Sequence, residues 1–152
     1  METTNEKLAG LLNNLVEINN DRIVGYETAA KETDDSSLKG LFTAMATERM
    51  AFKSELSGEV IQVGGKPTEG TRNSGKMYRI WMDIKAALTG KDRKAIINSC
   101  EFGEDAALEA YDDVLNSDTP LPSRVRDMIL KQKQKLQLSH TKIKSLRDTV
   151  KM

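Results

Sequence analysis

The chain has one cysteine, Cys100, so no disulfide can close within it, which fits a reducing compartment. It has one histidine, His140, and three prolines, Pro67, Pro120 and Pro122. Aromatic residues are sparse, at three Tyr, three Phe and one Trp. No charge of either sign dominates: 23 Lys and Arg face 23 Asp and Glu. That balance gives no basis for a nucleic-acid or anionic-membrane partner. No apolar run approaches the length that spans a bilayer. The first twenty residues lack a basic start followed by an apolar core, so no secretory signal is expected. Neither period-two alternation nor hairpin turns recur, which argues against a sheet. The expectation is a cytoplasmic protein of one domain over 1–152, able to bury roughly two-thirds of its extended surface.

What remains is rich in Leu, Ala, Lys and Glu over long proline-free intervals, a composition that favours helices. The first predicted helix runs from Glu6 to about Lys31, with Leu8, Leu12, Leu15, Ile23 and Tyr26 on its apolar face. Asn13, Asn14, Asn19 and Asn20 are weak helix formers within it, and Gly25 is weaker still. Residues Thr33 to Ser37 read as a capped turn into a second helix, Leu38 to about Val63. Leu38, Phe42, Arg49, Leu56 and Val60 share one side of that helix, and Glu48 lies at the edge of the stripe.

Gly64 to Gly75 is the clearest break. Its glycines, Lys66 and Thr68 do not have phosphate-loop spacing, so Lys66 and Arg72 read as surface charges. Helix resumes from Lys76 to about Leu88, where Trp81 is a candidate anchor for the loop. Thr89 to Asp92 then permits a kink or a break before a helix over Asp92 to Asn116. After a proline-restricted turn, the last helix runs from about Ser123 to Val150, with Val125, Ile129, Leu136, Ile143, Leu146 and Val150 as its inner stripe. The expected fold is all-α: an up-down-up-down four-helix bundle with a loop and a short or kinked helix before the third core helix. The loop after Val63 serves in it as either an ordinary turn or a crossover.

The stretch from Asp92 to Asn116 holds the chief functional clue. Ile97, Glu101, Glu104, Leu108 and Tyr111 fall in one quadrant of a helix. Carboxylates on a core-facing stripe are costly unless paired, hydrogen-bonded or metal-bound. With Glu27, Glu48 and His140 on the other three helices, they form a candidate site for iron or manganese. Glu27 and Glu101 are its bridging candidates and His140 its nitrogen ligand. The fuller di-iron pattern needs Glu-x-x-His on two helices, but Ala51 stands in place of the first histidine and Gln137 in place of the second glutamate. The alternative is a buried polar network in which Arg22, Arg49 or lysines neutralise the acids. Tyr26, Tyr111 and His140 would complete its hydrogen bonds. Cys100 reads as a small core residue, because no orienting group accompanies it.

Several short runs combine into a resemblance. Gly25-Tyr26-Glu27, Gly64-Gly65-Lys66-Pro67, Arg79-Ile80-Trp81, Lys85-Ala86-Ala87-Leu88, Gly103-Glu104-Asp105, Tyr111 and Leu121-Pro122 resemble an uncharacterised bacterial family of the ferritin-like superfamily, of the domain of unknown function 2383 type. His140 with Ile143 and Leu146-Arg147-Asp148 resembles it too. The resemblance implies a ferritin-like four-helix bundle and carries no established activity. It implies metal positions at Glu27, Glu48, Glu101 or Glu104, and His140. Two functions follow as expectations. One is a ferritin-like protein binding iron or manganese at a degenerate carboxylate–histidine site. The other is a non-catalytic bundle without metal that self-associates or binds a protein partner.

Overall fold

In the computed structural model, residues 3–70, 75–90 and 93–149 are described, apart from the side chains of 75–81, 147 and 149. The expected roles of Arg72 and Trp81, of Asp92 as a helix start and of Val150 in the last stripe lie outside the described residues. Five helices follow in order: α1 (Thr4–Glu32), α2 (Ser36–Gln62), α3 (Gly75–Gly90), α4 (Arg93–Leu115) and α5 (Ser123–Thr149). No strand occurs among the described residues.

Local chemistry sets the helix ends. The Thr3 hydroxyl accepts from the Glu6 N–H at 3.1 Å, and Asp35 Oδ1 accepts from the Ser37 and Leu38 N–H groups at 2.9 and 3.2 Å. These caps satisfy amides that have no partner within their helix. At the end of α2, Gly64 has φ +82°, with Gly64 N–H bonded to Ile61 O and Gly65 N–H to Val60 O at 3.0 and 2.9 Å. This left-handed closure favours glycine. Gly65 is needed for another reason: a β-carbon there would fall 2.8 Å from Ala9 Cβ.

Cross-helix pairs give the directions. Asn19 meets Tyr111 and Arg22 meets Glu104, while Asp35, just past α1, meets Arg93. α4 is therefore antiparallel to α1. Glu48 meets Ser139 and Glu59 meets Arg124, so α5 is antiparallel to α2. Asp105 meets His140 and Asp112 meets Lys133, so α4 and α5 are antiparallel too. Alternation runs through all five helices, and the four long ones taken alone read up, down, down, up. The segment through α3 is thus a crossover, the single long connection found in ferritin-like bundles.

Asparagines guide that crossover. Asn13 Nδ2 donates to Lys66 O and Asn13 Oδ1 accepts from the Thr68 N–H, both at 3.0 Å. Two turns on, Asn20 Nδ2 donates to Gly70 O at 3.0 Å and to Thr68 O at 3.3 Å. The loop therefore climbs α1 before α3 begins, and residues that weaken the helix locally hold the connection. α3 then packs on α4 and α1.

The core is divided. One apolar cluster takes Leu12, Leu15, Phe52, Leu56, Tyr111 and Ile129; the other takes Tyr26, Phe42, Met45, Ile97, Cys100 and Ile143. Each fully buried large side chain of this kind contributes about 1.5–3 kcal/mol over its exposed state. Between the two clusters every long helix carries polar residues: Asn19 to Arg22, Glu48 and Arg49, Glu101 and Glu104, Ser139 and His140. This layer is the candidate site.

A buried ion cluster as the candidate functional site

Arg22 on α1, Arg49 on α2 and Glu104 on α4 are each no more than 1% exposed. Arg49 reaches both ways, one Nη donating to Glu104 Oε1 and the other to Glu48 Oε1. Ser139 Oγ donates to that same Glu48 oxygen at 3.0 Å. Arg22 Nε lies 3.9 Å from Glu104 Oε2, within ion-pair range but too long for a hydrogen bond. Two guanidinium groups thus face two carboxyl groups, and the formal charges of these four side chains cancel.

Aromatic faces complete the enclosure. Arg22 Cζ stands 4.7 Å from the centre of the Tyr26 ring, and Arg49 Cζ 5.3 Å from that of Phe52. The ring quadrupole attracts a cation, which offsets part of its lost hydration. Tyr26 in turn stacks on Phe42 with centroids 6.0 Å apart. Burial works against the Arg22 charge, but the field of Tyr26 and then Glu104 outweighs it, so its pKa rises. Arg49 rises as well, with burial opposed by Glu104, Tyr26 and Glu48. Both remain cations. Burial pushes the Cys100 thiol up to about 12, against the lowering field of Arg22. Such a thiol is inert as a nucleophile at neutral pH.

A neutral network adjoins the ions. Asn19 Nδ2 donates to Leu15 O at 2.8 Å and to the Tyr111 hydroxyl at 3.0 Å. That hydroxyl donates to Gln132 Oε1 at 2.6 Å. Gln132 Nε2 then reaches Phe52 O and Glu55 Oε1 at 3.3 and 3.2 Å. All four long helices are stitched together by these contacts.

The sequence-predicted residues fare unequally. Glu104 enters the centre and Glu48 its edge, with 31% of the Glu48 side chain exposed. Glu27 does not join them; it is exposed on the outer side of α1 and α2. His140 and Glu101 stand together at the α4–α5 seam. His140 Nε2 lies 2.7 Å from Asp105 Oδ1 and 3.9 Å from Glu101 Oε1, without hydrogen-bond alignment. The expectation of iron or manganese is corrected here: among the described residues no group of three or more His, Cys, Asp or Glu side chains could hold a metal ion. The physical reason is that two guanidinium groups already stand between the acids: Arg49 bonds Glu104 Oε1 and Glu48 Oε1, and the Arg22 cation faces Glu104 Oε2 across 3.9 Å.

Sequence reasoning offered Arg22 and Arg49 as possible neutralising partners but gave Asn19, Gln132 and Gly103 no part in the site. A signal existed for the asparagines, which recur at helical spacing where helix propensity argues against them. No helix among the described residues is long and apolar enough to cross a membrane. A family model described as a domain of unknown function (DUF2383) matches residues 8–117, which take in Arg22, Arg49 and Glu104. No curated protein matches the chain.

Proposed function

We propose, on the premise that the chain belongs to the DUF2383 family, that its ferritin-like bundle is a non-catalytic module for assembly or protein interaction. The observation that carries this reading is the commitment of Glu104 to Arg49 and Arg22 at the bundle centre. Catalysis by a carboxylate needs an oxygen free to take a proton or a metal. Here Arg49 bonds Glu104 Oε1, the Arg22 cation faces Oε2 across 3.9 Å and competes with any second cation there, and the thiol nearby is held protonated. The interior polar chemistry supports the shape of the bundle, so function falls to the surface. The partner is a protein in the cytoplasm, either a second copy of the chain or another.

Anaerobic titration with ferrous iron and with manganese(II), followed by oxygen-uptake measurement, tests the non-catalytic part. The expected result is no saturable binding and no oxygen consumption above buffer. Stoichiometric binding abolished by Glu104→Gln would overturn the reading.

A further inference from the structure

The neutrality of the chain hides a segregation of charge across one seam. Residues 101–113 of α4 hold six acids and no Lys or Arg, whereas 124–144 of α5 hold seven Lys and Arg and one acid. The pairs Asp105–His140 and Asp112–Lys133 fix how these two helices meet. Seven residues forward on α4 match seven back on α5, so Leu108 stands level with Gln137. On the solvent side of the seam α4 presents Phe102, Asp105, Glu109 and Asp113, all exposed, within about 80° of arc at 3.6 residues per turn. α5 presents Arg126, Leu130, Lys133, Gln137 and Lys144 beside them, exposed or half-buried, within about 60°. An acidic row thus runs along a basic one. Each row carries one large apolar side chain in the open, Phe102 at 62% and Leu130 at 38% exposure.

We propose that this face is the contact surface of a two-fold homodimer, in which α4 of each copy lies on α5 of the other. The inference rests on the module reading above and names its partner. The split charge is what commits the face to a second copy. A two-fold axis normal to a pair of helices lays each helix on the other member of the second pair, so acid meets base on both sides of the axis. A nucleic acid or an anionic membrane seated on α5 would press against the acids of α4, and a uniformly basic partner would press against α5. Register agrees with the charges. With the axis through the seam at the height of Leu108 and Glu109, Phe102 stands opposite Leu130 of the second copy, Asp105 opposite its Lys133 and Glu109 opposite its Gln137. Asp113 then falls about 4.5 Å along the helix from Lys144 of the second copy. Apolar therefore covers apolar with charge pairs beside it, and every contact occurs twice. The internal pairs leave capacity for these contacts. Asp105 keeps 53% of its side chain exposed beside His140, and the Lys133 ammonium has three donors, of which Asp112 needs one.

The test is sedimentation of the full chain from low to high micromolar concentration, with circular dichroism to verify that each variant is folded. The wild type is expected to dimerise. Phe102→Arg sets a cation against Leu130 and Lys133 of the second copy and is expected to leave monomers. Asp105→Lys and Lys133→Glu each turn two attractive contacts into two repulsive ones and should weaken self-association roughly tenfold. Mixed in equal amounts, these two variants restore both contacts and should recover wild-type association as a heterodimer. A wild type that stays monomeric overturns the inference, as does a dimer indifferent to all three substitutions or a mixture that recovers nothing. A monomer would leave the module reading standing, because that reading fails separately, by saturable metal binding.

Discussion

The guanidinium of Arg22 lies against the bare α-carbon of Gly103: a β-carbon at that position would fall 2.2 Å from Arg22 Nη1 and 2.3 Å from Cζ. Glycine is needed here because α4 must leave a notch for a cation reaching across from α1. The neighbouring Glu104 then meets that cation from the same turn of helix.

Gly103→Ala tests this notch. Arg22 is buried and held over Tyr26, so its end group has no free space to retreat into. Overpacking of this kind costs about 1–3 kcal/mol. Urea unfolding should show that loss despite alanine's better helix propensity, and an unchanged or higher midpoint would refute the notch.

The ion cluster should respond asymmetrically. Glu104→Gln leaves the buried Arg22 charge without a carboxylate, and Arg49→Met leaves buried Glu104 without its hydrogen-bonded partner; each should destabilise the fold by about 3–5 kcal/mol. Replacing Arg22, Arg49 and Glu104 together with apolar residues of similar volume should cost far less than the sum of the single changes. Thermal unfolding of the singles and the triple gives the comparison. Additive losses would show that the three side chains act independently.

Asn20→Ala should loosen the crossover with little effect on the core. It removes two contacts to the loop, at Gly70 O and Thr68 O, and a loop carbonyl near solvent can turn to water. Hydrogen exchange should accelerate over 64–70 and stay unchanged at Phe52 and Tyr111. Uniform acceleration throughout the bundle would contradict a local strap.

Alkaline pH should weaken the fold through Cys100. Its thiol stands at about 12 in the folded chain against an ordinary value of 9.0. Between these values the unfolded chain has released the proton and the folded chain still holds it, so stability falls as pH rises. One such group contributes a slope of about 1.4 kcal/mol per pH unit at most. Burial also raises Tyr26 and Tyr111, which steepens the fall above pH of about 10. Cys100→Ala should flatten the stability curve between about pH 9 and pH 10, where the thiol acts first. An identical slope in the variant would show that Cys100 does not titrate on unfolding.

The sequence by itself determined the helices and most of their inner faces. Leu8, Leu12 and Leu15, Phe42 and Leu56, Val125 and Ile129 are buried as their spacing required. The reason is local: a period of 3.6 fixes which residues share a face, and Thr3, Asp35 and Gly64 close the ends from neighbouring backbone alone. It also marked Glu104 as an acid on a buried stripe. A stripe does not reveal what faces it, however, since a metal ion and a guanidinium both satisfy a carboxylate. Only the tertiary structure decided between them, by bringing Arg22, Arg49 and Gly103 to Glu104 and leaving Glu27 outside. The rotation and axial register of one helix against another depend on the packing of the whole core and on the crossover held by Asn13 and Asn20, and no single helix encodes either.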